Sequence, residues 1–153
     1  MSLLLILGSA LVVMVQQHVT FVSVASRQSF LAKEAPKIGA LLGRILSQAD
    51  HYFIYESREG LLSGQPPVVE NGGTVRLFFK APNNTTVERV ITTETTSNGV
   101  ALRFYTPTLD GTEISWTICS RLNGATFSAD EGILMVTLQG PSGEEITYCG
   151  SPR

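Results

Sequence analysis

No lysine, arginine, aspartate or glutamate occurs between Met1 and Ser26. All the charge of the 153-residue chain is therefore carried from Arg27 onward, and the 16% of charged residues overall falls below the roughly 25% of an ordinary soluble domain. Histidine and cysteine occur twice each, too few for most metal sites. A net charge of −2 and a pI near 5.6 give no electrostatic reason to expect nucleic-acid binding. No internal repeat or low-complexity tract is present. What is abundant is apolar: 43% of residues are hydrophobic. The length allows one globular domain, and the composition leans away from an enzyme and towards a small membrane-tethered domain.

The apolar excess is concentrated at the start. Leu3 to Val15 reads LLLILGSALVVMV; Gln16, Gln17 and His18 interrupt, and Val19, Phe21, Val22 and Val24 resume. A bilayer needs about 20 largely apolar residues in a helix, so residues 1–24 are expected to span a membrane. Leu3, Leu4, Leu5, Ile6, Leu7, Leu11, Val12, Val13, Met14 and Val15 form the anchor. Two other readings fit less well. A cleaved signal peptide wants a basic n-region and a small-residue cleavage site, and a buried core helix would have to hide the whole run. Residues 25–55 are expected to continue the helix in amphipathic form. Phe30, Leu31, Ala35, Ile38, Leu42, Ile45, Leu46, Ala49 and Phe53 recur at helical spacing, with Arg27, Lys33, Glu34, Lys37, Arg44 and Asp50 on much of the remainder. Pro36 should bend this helix, and Gly39 and Gly43 should let it lie close to a sheet.

Residues 56–73, rich in glycine, proline and charge, read as a connecting loop, and residues 74–153 as an antiparallel β domain. Alternation places Val75, Leu77 and Phe79 on one face. The same holds for Val100, Leu102 and Phe104, for Ile114, Trp116 and Ile118, and for Leu134, Val136 and Leu138, with Ile146 and Tyr148 in the last strand. Asn98-Gly99 and Asn123-Gly124 suit type I′ hairpin turns, and Asp110-Gly111 and Gly140-Pro141-Ser142-Gly143 suit other turns. The predicted fold is α+β: a long N-terminal helix packed on an antiparallel β-meander, with Ile38, Leu42, Ile45 and Trp116 in the helix–sheet core. On this alternation Cys119 and Cys149 both face outward. A disulfide between them and two free thiols are both open.

No constellation looks catalytic. His18 and His51 are expected to lie apart, on the anchor and near the end of the helix. Asp130-Glu131 and Glu144-Glu145 flank turns and offer too few converging oxygens for calcium. Asn83-Asn84-Thr85-Thr86 reads as a polar loop. No metal, cofactor or small-molecule substrate is expected.

The anchor LLLILGSALVVMV, the continuation FLAKEAPKIGALLGRILSQADHYFIY and the closing FSADEGILMVTLQGPSGEEITYCG together resemble type IV pilins and the pseudopilins of type II secretion, most closely the minor pseudopilins of the J type. The likeness is one of layout and covers nearly the whole chain. It implies a non-enzymatic structural subunit in the bacterial inner membrane, single-pass, with its C-terminal domain in the periplasm. It also implies partnership with other pilin-like subunits through the N-terminal helix. Family members carry a basic leader, a cleavage-site glycine and a glutamate five residues into the mature chain. Here Gly8 is followed by Ser9, and Val13 stands at the glutamate's place. Either the true start lies upstream of Met1 or the chain is a degenerate relative, and the charge balance after the anchor favours the former. Arg27, Lys33, Lys37 and Arg44 against Glu34 leave three surplus positive charges after the anchor, which a basic leader would have to outweigh. The alternative reading is a membrane-tethered periplasmic ligand-binding module, with an enzyme a distant third.

Overall fold

The computed structural model describes residues 2–108 and 112–151, with the side chains of 2–7 and 26–28 outside the described set. The first element, α1 (Ser2–Ser29), is a 28-residue helix. It runs through a five-residue π-helical turn, Phe30–Glu34, into α2 (Ala35–Ser47). The wider turn answers the problem posed by Pro36, which has no N–H to donate and whose ring crowds the preceding turn. Here the Ala35 N–H reaches back to the Phe30 carbonyl, and Pro36 sits in the first turn of α2, where a missing donor is harmless.

The helix stops at Ser47, eight residues short of the predicted end at 55. His51–Tyr55 (HYFIY) is strand β1 instead. Aromatic and β-branched residues favour a pleated strand, and the Asp50 N–H bonds the Phe78 carbonyl at 2.8 Å, opening the ladder. Phe53 fits the helical pattern as well, because a spacing of four after Ala49 satisfies both periods. His51 is accordingly on a strand, stacked on Phe78 with ring centroids 4.3 Å apart. Segment 56–73 is more than a loop. It contains α3 (Arg58–Leu62), capped by the Ser57 hydroxyl, which accepts the Gly60 N–H at 3.1 Å.

The remaining strands are β2 (Thr74–Lys80), β3 (Thr86–Thr96), β4 (Gly99–Pro107), β5 (Glu113–Leu122), β6 (Gly124–Asp130), β7 (Ile133–Gln139) and β8 (Glu145–Gly150). They form two antiparallel sheets rather than one meander: β1-β2-β3-β4-β5 and β6-β7-β8. The division falls at Asn123-Gly124, which is therefore not a hairpin turn. Arg121 adopts φ 64° and the chain leaves the larger sheet there. Of Asn98-Gly99 only Gly99 has positive φ, so that hairpin, in which Thr96 pairs Gly99, is not type I′ either. The Gly140–Gly143 turn closes β7–β8 as expected, with Gly143 at φ 80°. Asp110-Gly111 lies outside the described residues.

The smaller sheet packs over the inner face of the larger one, β6 crossing β2, β3 and β4, while α2 packs against β8 and β5. Ala35, Ile38, Leu42 and Leu46 from α2 meet Val75, Leu77, Ile91 and Leu102 from one sheet and Phe127, Leu134, Val136 and Leu138 from the other in one core. Segment 56–73 ties the sheets together along one side. The Val68 N–H bonds the Ile54 carbonyl on the edge of β1, and Gly72 exchanges both backbone hydrogen bonds with Phe127 of β6.

Candidate functional site

Residues 1–26 carry no charged side chain, and the described side chains of α1 up to Ala25 are bare. Every described side chain from Gly8 to Ala25 is exposed, including Leu11, Val12, Val13, Met14, Val15 and Phe21, the last 72% accessible. The side chains of Leu3, Leu4, Leu5, Ile6 and Leu7 lie outside the described residues. At 1.5 Å per residue α1 is about 42 Å long, more than the roughly 30 Å hydrocarbon thickness of a bilayer. It is long and apolar enough to cross a membrane. Water is the wrong solvent for such a surface, since monomeric proteins rarely leave apolar patches of this extent uncovered. Its few polar groups are of the kind a helix can satisfy itself: the Thr20 hydroxyl donates to the Gln16 carbonyl at 2.9 Å.

α2 shows how firmly this helix is held to the domain. Leu42 is fully buried, Ile38 nearly so and Ile45 partly, as predicted. The Tyr148 hydroxyl of β8 donates to the Ala35 carbonyl at 2.6 Å, and its ring lies so close to Gly39 that a Cβ there would fall 2.5 Å from it. Gly150, at the end of β8, makes the same close approach to Leu46. Gly43, by contrast, faces open space.

Two predicted positions move. Trp116 is on the inner side of β5, packed against Phe104 at 5.2 Å, but it is 39% exposed and outside the core. Cys119 faces inward, not outward. Leu102 pairs Cys119 while the adjacent Arg103 pairs Thr117, so Ile118 is a bulge residue and the alternation shifts by one beyond it. Cys119 is buried and Cys149 exposed; both thiols are free, one on each sheet. Burial, reinforced by the Glu34 charge, pushes the Cys119 thiol up to about 11.

The strand register also assembles a cluster that spacing alone does not reveal. On the outer face of the larger sheet, Glu94 accepts hydrogen bonds from the Tyr105 hydroxyl and from Arg103, the latter at 3.1 Å. Arg58 of α3 lies 3.8 Å over the Tyr105 ring and pairs with Glu113. Burial raises the Glu94 carboxyl, but these donors and the two guanidinium charges outweigh it and hold it below its usual value. The arrangement pins α3 to the sheet. His18 is exposed on α1 and His51 is on β1, so they do not meet, and no three His, Cys, Asp or Glu side chains converge among the described residues. No protein family, curated protein or solved structure matches the chain.

Proposed function

We propose that the protein is a non-enzymatic structural subunit, pilin-like or pseudopilin-like, of a type II secretion or type IV pilus-like assembly. It sits in the bacterial inner membrane with the β domain in the periplasm. The observation that carries this reading is one continuous helix with two environments: a charge-free half whose described side chains, from Gly8 to Ala25, are all exposed, and a half whose Ile38, Leu42 and Leu46 belong to the domain core. In lipid the bare half is an anchor; withdrawn from lipid it needs equivalent helices of other pilin-like subunits to cover it. The helix runs without a break through the π-helical turn, so a pull on its first half is passed to the domain. A tethered periplasmic binding module is the second reading. It is favoured by aromatic side chains on the outer face of the sheet, where His51 and Phe53 pack around Phe78.

The test uses the gene with its native upstream sequence, fused at Arg153 to reporters active only in the periplasm or only in the cytoplasm. Periplasmic activity, together with crosslinks between pilin-like subunits through a cysteine placed at Val13, is the expected result. Cytoplasmic activity ends the pilin-like reading. Periplasmic activity without helix-mediated crosslinks leaves the binding module.

A further inference from the structure

The inner face of the larger sheet is not covered along its whole length. Between the end of α2 and strands β2–β4 opens a cleft of about 310 Å³, with Ile45 and Gln48 on one wall and Phe79, Val87 and Phe104 as its apolar floor. Lys80 and Arg89 also line it. Both are cations without a carboxylate. The Arg89 guanidinium donates to the Glu88 carbonyl at 2.7 Å, and neither residue forms an ion pair among the described residues. A cleft of this size that combines an apolar floor with charged groups at its wall is one form a ligand site takes.

The apolar surface does not end at the cleft. Beyond Phe104 it continues over the Trp116 ring to Ile114, 39% and 60% exposed respectively, both on the same side of β5. β5 is the last strand of the larger sheet, and no strand pairs its outer edge among the described residues. Such an edge is a template for an added strand, with backbone hydrogen bonds giving affinity and side-chain pockets giving specificity. The strip as a whole exceeds the reach of one small molecule. Lipid from the membrane that would hold α1 is out of range too, since about 30 Å of helix at 1.5 Å per residue separates Val24 from Ile45.

We propose that this strip docks an extended acidic segment of a partner protein, which seats an apolar side chain in the cleft, sets carboxylates against Lys80 and Arg89, and runs along β5 past Trp116. Such docking does not depend on the pilin-like reading, because cleft, cations and strand edge all belong to the β domain and the end of α2.

Trp116 is the only tryptophan of the chain, so its emission reports docking without a label. Full-length protein in dodecylmaltoside is titrated with the capped peptide EFELEVE, its basic counterpart KFKLKVK, and 4-phenylbutyrate as a small apolar anion. The acidic peptide is expected to change Trp116 emission saturably, more weakly as salt rises. The double variant Lys80→Glu/Arg89→Glu should bind it about tenfold less tightly. Lys80 is exposed and Arg89 half-buried, so the melting temperature is checked alongside, and Lys80→Glu alone, at the exposed position, is compared with the parent where the double variant melts lower. Equal responses to the two peptides, or unchanged affinity in the folded double variant, overturn the proposal. A response to 4-phenylbutyrate with none to EFELEVE overturns it as well and makes the cleft a small-anion site.

Discussion

Cys119 and Cys149 differ by one bulge. Without the extra residue at Ile118 both thiols would point to the outside of their sheets; with it, Cys119 is enclosed beneath the helix and Cys149 stays in solvent. Only the thiolate reacts with alkylating agents, and burial with the nearby Glu34 charge lifts the Cys119 thiol to about 11. At pH 8 Cys149 should therefore label with iodoacetamide while Cys119 stays unmodified until denaturant is added. No reductant should be needed for either. Labelling of both at equal rates, or of neither before reduction, contradicts the assignment. The same shift has a sign in stability. A thiol whose value in the fold exceeds its unfolded value of about 9 contributes fully below that pH, and the contribution is lost as pH rises through about 11. Cys119→Ala should flatten that alkaline fall in melting temperature, whatever it costs in packing at neutral pH.

At the scale of elements, sequence pattern locates the strands well and their partners poorly. Period two puts Val75, Leu77, Leu102, Leu134, Val136 and Leu138 inside, and all six are fully buried. The same pattern says nothing about which strand lies beside which. The split into two sheets, the Glu94–Tyr105–Arg58 cluster and the cleft beside Phe104 all depend on pairings between residues distant in the chain, and so are not legible. The end of α2 escapes for a local reason, the spacing shared by helix and strand at Ala49 and Phe53. The face of α2 is legible, and it carries a contrast. Truncating a fully buried Leu costs about 2–5 kcal/mol, and a buried charge costs more. Leu42→Asp should thus unfold the domain, whereas Arg44→Asp, at an exposed position, should shift the melting temperature little. The two glycines give a finer form of the same test. Gly39→Leu must displace the Tyr148 ring and weaken its hydrogen bond to Ala35, while Gly43→Leu meets open space and gains helix propensity. Equal melting temperatures for the two glycine variants would show that β8 does not pack on α2 as described.

For the molecule as a whole, the fold and its exposed N-terminal helix should be separable in energy though continuous in structure. No described side chain between Gly8 and Ala25 is buried, and the core begins at Phe30, which is 5% exposed. A form beginning at Arg27 keeps that core residue and everything after it, including the Tyr148–Ala35 bond and the ties between the two sheets. It should melt within a few degrees of the full chain and stay in solution without detergent. The full chain should sediment with membranes, because exposing a charge-free helix to water forfeits roughly 25 cal/mol for each Å² of apolar surface. Val13→Arg in the full chain separates anchor from fold. An arginine at mid-helix opposes insertion by about 2.5–3.5 kcal/mol on the translocon scale and touches nothing in the β domain. Membrane association should fall while the melting temperature holds. If Val13→Arg lowers the melting temperature as much as it lowers membrane association, α1 packs on the domain and the exposed helix is misassigned. If it lowers neither, α1 is not the segment that meets lipid.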